Sequence, residues 1–117
     1  PAAVTISNSK VDNSLSYGSW AGESTAHPTG LVTLSGVQVF ANGFVNTVMG
    51  DAPGVYIISN NKVTVLGGYY MGNAGAGIEL GLVGPSASYL IAPTVVLFGN
   101  DAMPDYNDYP DPKVAYY

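Results

Sequence analysis

Three acidic side chains are the first candidates for chemistry in this chain of 117 residues. Glu79 lies at an outward position of a predicted strand, and Glu23 and Asp51 lie in predicted loops. Enzymes that hydrolyse polysaccharides place two carboxyl groups across the scissile bond, one as the acid and one as the base or nucleophile. Nothing in the sequence pairs Glu79 with a second acid, so we interpret these carboxylates as solvated groups that keep an acidic protein soluble. We assign no catalytic residue, and Glu79 is the single candidate.

Aromatic side chains offer a second kind of chemistry, because their flat faces can stack on sugar rings. Tyr17 and Trp20 lie in a predicted loop, and Tyr56 lies on a predicted strand. These three residues are our candidates for glycan binding. Tyr69 and Tyr70 have two interpretations: they present flat faces of the same kind, or, as the alternative prediction, they close the rung and one of them packs inside.

Composition excludes several other kinds of site. The chain has no cysteine and a single histidine, His27, which excludes thiol chemistry and multi-histidine metal centres. The acidic C-terminal segment lacks the spacing of a calcium loop, and residues 72–77 lack the lysine and the helix of a phosphate loop. With three basic residues and a net charge of −5, the chain has no basic surface for nucleic acid. No apolar run is long enough for a bilayer. We therefore predict no metal, no cofactor, no nucleic-acid partner and no membrane insertion.

A unit of about two dozen residues recurs along the chain, and a fixed period of this size indicates stacked rungs. Each copy opens with a short apolar strand, which follows a glycine (Gly30, Gly54 and Gly77) in every copy after the first. A second alternating segment follows at residues 11, 37–39, 63–65 and 89–91. The second segments place Val37 and Val39 over Val63 and Val65. Superposing the first strands predicts two inward columns and one outward column. The first inward column is Val4, Leu31, Val55 and Ile78, and the second is Ile6, Thr33, Ile57 and Leu80. The outward column is Thr5, Val32, Tyr56 and Glu79.

Two segments stand outside this repeat. Residues 13–29 are rich in small polar side chains, and we predict that they form a loop inserted in the first rung. Residues 104–117 are rich in Pro, Asp and Tyr, so we predict an extended tail after a β-domain that covers residues 1–103. Tyrosine is enriched at interfaces between subunits. The tail residues that we predict to contact a neighbouring subunit are Tyr106, Tyr109, Tyr116 and Tyr117.

The stretch GVYIISNNKVTV at residues 54–65, followed by Gly72-Asn73 and a new start at Gly77-Ile78, resembles a rung of the right-handed parallel β-helix superfamily. That superfamily includes pectate lyases and bacteriophage tailspikes. The low charge, the lack of cysteine and the C-terminal tail resemble the tailspike and tail-fibre branch. The resemblance implies an all-β fold, with a short right-handed parallel β-helix of about four rungs. It also implies a virion or extracellular protein, a homotrimer, that attaches to a host surface polysaccharide.

An antiparallel β-sandwich or jelly roll is the alternative fold. Asn60-Asn61 can form the tight turn of a hairpin, and antiparallel strand pairs outnumber parallel pairs in proteins. Two other functions also stay open. One is a small capsid-decorating or extracellular filament-forming β-protein, and the other is a fragment of a polysaccharide lyase or hydrolase.

Overall fold

The computed structural model describes residues 3–12, 18–42, 52–100 and 113–116. These residues form twelve short strands and no helix, so the described part of the chain has no helix that could cross a membrane. The strands are β1 Val4–Ser7, β2 Lys10–Asp12, β3 Ser19–Ala21, β4 Val32–Ser35, β5 Gln38–Phe40, β6 Val55–Ser59, β7 Lys62–Leu66, β8 Tyr69–Met71, β9 Ile78–Leu82, β10 Ser88–Ile91, β11 Val96–Phe98 and β12 Lys113–Tyr116.

The strands form three four-stranded sheets, and every third strand along the chain joins the same sheet. Sheet A contains β1, β4, β7 and β10, sheet B contains β2, β5, β8 and β11, and sheet C contains β3, β6, β9 and β12. Paired strands run parallel, except that β12 is antiparallel to β9. The repeating unit therefore has three strands. We call each unit a tier, from tier 1 (β1 to β3) to tier 4 (β10 to β12).

The prediction of an all-β fold with parallel strands is confirmed, and the described strands do not form the antiparallel sandwich. The repeating unit differs from the predicted one, because it contains three strands instead of two. Val4 and Val32 belong to sheet A, whereas Val55 and Ile78 belong to sheet C. The third strand was hidden in tier 1 because β3 has only three residues and polar flanks. It lies within residues 13–29, which the sequence predicted to be a loop.

Strand β4 is shifted by one residue from its predicted register. Val32 and Leu34 point inward and are 1% and 2% exposed, whereas Leu31 is 44% exposed. The predicted inward positions of Leu31 and Thr33 are therefore wrong. A shift of one residue exchanges the two faces of a strand. The alignment followed the glycine before the strand, whereas the register is set by the partner strand, in which Val4 pairs with Val32.

The core lies between the three sheets and is formed by tiers 2 and 3. Val39 faces it from sheet B and Val63 faces it from sheet A, so the predicted stacking of these two segments is wrong. Full burial of one aliphatic side chain stabilises a fold by about 1.5–3 kcal/mol. Inward side chains of tiers 1 and 4, such as Val4 and Ile91, are only partly buried. The buried cluster consists of Val32, Leu34, Val37, Val39, Val55, Ile57, Val63, Val65, Tyr70, Ile78 and Leu80.

The chain turns from sheet B towards sheet C through a left-handed residue in tiers 2, 3 and 4. Ala41, Gly72 and Gly99 have φ values of 58°, 62° and 65°. This conformation is easy for glycine and strained for alanine. An asparagine follows directly in each tier, at positions 42, 73 and 100. The repeated turn therefore sets three asparagine side chains above one another at the same corner.

Candidate functional site

The outward face of sheet C carries one row of candidate residues, which we call the sheet C row. Trp20 of β3, Tyr56 of β6 and Glu79 of β9 are register partners on three adjacent strands. Val55 and Ile57 are buried, so alternation turns Tyr56 outward between them. Adjacent strands lie about 4.8 Å apart. The structure thus brings together two of the three glycan-binding candidates and the single catalytic candidate.

The two aromatic residues of the row stack on each other. The ring centroids of Trp20 and Tyr56 are 5.8 Å apart, and the ring planes differ by 15°. Such a pair contributes about 0.5–1.5 kcal/mol beyond its buried area. Strand β3 is the edge strand of sheet C, and Trp20 is 54% exposed. Tyr56 covers one face of the indole, and about half of the Trp20 residue stays accessible to solvent.

Glu79 adds a carboxylate to the row next to the Tyr56 ring. A carboxylate accepts hydrogen bonds from hydroxyl groups. The described residues contain two other acids: Asp12 on sheet B, whose carboxylate lies 3.2 Å from the Lys10 ammonium, and Glu23 in the loop after β3. Neither belongs to the row, so the row itself lacks the two-carboxylate pair of a glycosidase. Within the described ranges, no three His, Cys, Asp or Glu side chains group to hold a metal ion.

The loop after β3 is fixed at both ends beside the exposed indole. Gly22 has a φ of 87°, and a Cβ there would lie 2.2 Å from the carbonyl oxygen of Ile58. Only glycine permits this close approach of the loop to β6. The backbone N–H of Glu23 donates to the carbonyl of His27 at 3.0 Å, and the N–H of Thr29 donates to the carbonyl of Ile58 at 2.8 Å. Both ends of the loop, at Gly22 and at Thr29, therefore lie against the same residue of β6, Ile58.

The remaining candidates give less information. Tyr116 belongs to β12 and is the register partner of Ile78, so the end of the predicted tail joins sheet C as an edge strand. The contact of the tail with a neighbouring subunit stays a prediction. The candidates that lie outside the described residues are Tyr17, Asp51, Tyr106, Tyr109 and Tyr117.

Sequence reasoning missed a ladder of asparagine side chains, which lies at the corner where the chain turns from sheet B towards sheet C. The side-chain Nδ2 of Asn73 donates to Oδ1 of Asn100 at 2.8 Å and to the carbonyl of Val39 at 3.1 Å. Nδ2 of Asn42 donates to Oδ1 of Asn73 at 2.9 Å, and Nδ2 of Asn100 donates to the carbonyl of Tyr70 at 2.7 Å. The ladder links tiers 2, 3 and 4. The signal in the sequence is an asparagine two residues after the end of β5, β8 and β11.

Tyr70 confirms the prediction that one tyrosine of its pair packs inside. Tyr70 is fully buried, whereas Tyr69 is 48% exposed. The hydroxyl of Tyr70 has no hydrogen-bond partner in the described part of the chain. A buried polar group without a partner costs about 1–3 kcal/mol. Burial also raises the pKa of this phenol well above its ordinary value of 10.0.

The outward face of sheet B carries an apolar row that the sequence did not reveal. Phe40, Met71 and Phe98 are register partners, and Phe98 is 70% exposed. The row borders a shallow groove of about 390 Å³, whose other side is the left-handed corner. The Lys10 ammonium lies 5.4 Å from the centre of the Phe40 ring, so the charged end of this face is at β2. Sheet B therefore changes from charged to apolar along the stack.

Comparison of the chain with protein-family models, with curated proteins and with solved structures finds no match. The function is therefore argued from the geometry of the chain's own residues.

Proposed function

We propose that this chain is a short right-handed parallel β-helix that belongs to a tailspike or tail fibre and attaches a virion to a host surface glycan. The sheet topology supports the β-helix. A chain that visits sheets A, B and C in constant order returns each strand beside its counterpart in the previous tier, and parallel pairing is the result.

The single observation that carries glycan binding is the sheet C row. A pyranose ring has an apolar face of C–H groups and a rim of hydroxyl groups. The solvent-accessible part of the Trp20 indole suits the apolar face, and the Glu79 carboxylate suits a hydroxyl group further along the row. Stacking on Tyr56 holds the indole in one orientation before ligand arrives, which reduces the entropy lost on binding.

The row supports binding rather than cleavage. It contains one carboxylate, and hydrolysis with either stereochemical outcome uses two. The ligand is therefore a surface polysaccharide that the protein holds without cutting.

Assembly as a homotrimer, in the virion or outside the cell, is part of the same proposal. Phe98, Tyr69 and Val96 are 70%, 48% and 40% exposed on the outward face of sheet B. Contiguous exposed apolar side chains mark surfaces that bind other proteins. Burial of this face against neighbouring subunits would remove it from water.

Tryptophan fluorescence tests the binding site directly, because Trp20 is the only tryptophan of the chain. A panel of purified bacterial surface polysaccharides is titrated into the protein, and we expect a saturable change with at least one of them. By calorimetry, Trp20→Ala should bind that polysaccharide at least tenfold more weakly, which corresponds to about 1.4 kcal/mol. Leu66→Ala, which removes an exposed apolar side chain from sheet A, outside the sheet C row and the proposed trimer face, is the matched control and should bind as the parent does.

Two results would overturn the proposal: no response to any polysaccharide of the panel, or equal affinity of Trp20→Ala and the parent. Glu79→Gln keeps an acceptor oxygen and should bind as the parent does. Neither protein should release reducing ends from the polysaccharide. Release by the parent that is lost in Glu79→Gln would show that the site is catalytic.

A further inference from the structure

The two ends of the stack expose strand edges in the same order. Among the described strands, β1, β2 and β3 each pair on one side only, and β10, β11 and β12 do so at the opposite end. An edge strand presents unpaired N–H and C=O groups, which are a template for a further strand. As far as the described residues show, each end of the stack is therefore a three-strand tier with one unpaired side.

The core is open at tier 1. Val4 and Ile6 point inward from β1 but are only half-buried, whereas Val32 and Leu34 in tier 2 are almost completely buried. A cleft of about 200 Å³ lies at this end between sheets A and C, and these side chains line it together with Ala21. Covering such an apolar surface with another apolar surface is favourable.

Tier 4 presents apolar side chains at the other end. Tyr89 is the register partner of Val63, so it occupies the inward column of sheet A, and yet it is 40% exposed. Ile91 and Leu97 are also at inward positions and are half-buried. One end of the chain therefore has a cleft, and the other end has exposed inward side chains.

We propose that tier 4 of one copy stacks on tier 1 of a second copy. Strand β10 would pair with β1, and β11 with β2, in the parallel direction that sheets A and B already use. Strand β12 would pair with β3 in the antiparallel direction, which is also a regular ladder. Tyr89 then follows the inward column next to Val4 of the second copy and covers the cleft.

A second copy is the occupant because it brings three strands in the required order and spacing. The charges of β2 offer little obstacle, since Lys10 and Asp12 pair with each other at 3.2 Å. Two different surfaces meet in this contact, so it leaves a free end on each copy and can repeat along the axis. The contact places β12 of one copy beside β3 of the other, next to Trp20, so it competes with glycan binding at each joined end. It also differs from a closed trimer.

The test blocks one end at a time. Ile6→Lys places a charge in the tier 1 cleft, and Tyr89→Lys places one on the tier 4 end. Thr5→Lys and Leu90→Lys, which change outward positions of the same strands, are the matched controls. Circular dichroism and urea unfolding verify the fold. Should Ile6→Lys not fold, Thr5→Pro replaces it. The Val4 N–H donates to Leu31 of the neighbouring segment, so the Thr5 N–H points to the open edge.

Sedimentation velocity over a range of concentrations gives the answer. We expect the parent and both controls to form longer assemblies as concentration rises. Each end-blocked variant alone should remain a single unit at every concentration, which is one chain of 12.1 kDa or, where the trimer of the proposed function also forms, one trimer. An equimolar mixture of the two end-blocked variants should form a species of two units, because each partner has one intact end.

Three results would overturn the inference: end-blocked variants that elongate as the parent does, a mixture that forms no species of two units, or a parent that stays a single unit. A trimer of fixed size that the end variants do not affect would also overturn it, and would leave the trimer of the proposed function standing.

Discussion

Replacement of Asn73 by alanine should remove a large part of the stability of this protein. Asn73 is fully buried at the centre of the asparagine ladder. Its Nδ2 donates to the carbonyl of Val39 at 3.1 Å and to Oδ1 of Asn100 at 2.8 Å. Its Oδ1 accepts from the backbone N–H of Asn42 at 3.2 Å and from Nδ2 of Asn42 at 2.9 Å. Alanine removes all four hydrogen bonds in a region without access to water.

The magnitude follows from these contacts. A hydrogen bond contributes a net of about 0.5–1.5 kcal/mol, so the four bonds of Asn73 together are worth about 2–6 kcal/mol, with a central value of about 4 kcal/mol. A small domain has a free energy of unfolding of about 5–15 kcal/mol. The variant should therefore lose a quarter or more of its stability. For a domain of this size, the melting temperature should fall by about 10–15 °C.

Urea unfolding followed by circular dichroism measures this loss. Asn61→Ala is the control, because Asn61 is exposed and its Oδ1 accepts only a local hydrogen bond, from the N–H of Lys62 at 2.7 Å. The control should stay within about 1 kcal/mol of the parent. If Asn73→Ala also stays within that limit, the ladder does not stabilise the stack and the reasoning is refuted.

Three further predictions concern the core and the tail. Tyr70→Phe removes a buried hydroxyl without a partner, so the free energy of unfolding should be unchanged or higher. Burial raises the pKa of Tyr70, so above about pH 10 the unfolded chain loses a proton that the folded chain keeps. The parent should lose more stability there than Tyr70→Phe in urea titrations. Ile57→Asp buries a charge and should abolish folding, whereas Tyr56→Asp changes an outward position and should be tolerated. Circular dichroism measures both, and equal tolerance at the two positions would contradict the register. Deletion of residues 104–117 removes β12, exposes the edge of β9 and should weaken self-association. Sedimentation velocity measures this, and a deletion variant that assembles as the parent does would contradict the prediction.

The register of β6 and β9 could be predicted, whereas that of β4 could not. Ile57 and Leu80 occupy equivalent positions after a glycine that begins each copy, so superposition of the copies gives their correct pairing. The glycine before β4 is one residue further from the inward position, and only the partner strand reveals this difference. Strand β3 could not be predicted, because its three residues are too few to show alternation.

The same distinction applies to the candidate site. The neighbourhood of Tyr56 and Glu79 follows from the repeat, and the sequence placed both residues outward in one column. The position of Trp20 in that row could not be predicted, because it depends on β3. The asparagine ladder was hidden by its spacing, since Asn42 and Asn73 are 31 residues apart and Asn73 and Asn100 are 27 apart. Loops of variable length between the strands break the period while the geometry stays constant.

The tiered topology has a consequence for the kinetics of folding. Each parallel pair joins strands that are separated by about a quarter of the chain length, which exceeds the contact order of most slowly folding β-proteins. During synthesis, a strand of tier 1 waits for its partner until the corresponding strand of tier 2 has been made, three strands later along the chain. At ribosomal rates this delay is about one to six seconds for β1. Newly made strands therefore have no partner for far longer than hydrophobic collapse takes, and tier 2 must be complete before tier 1 can be stable.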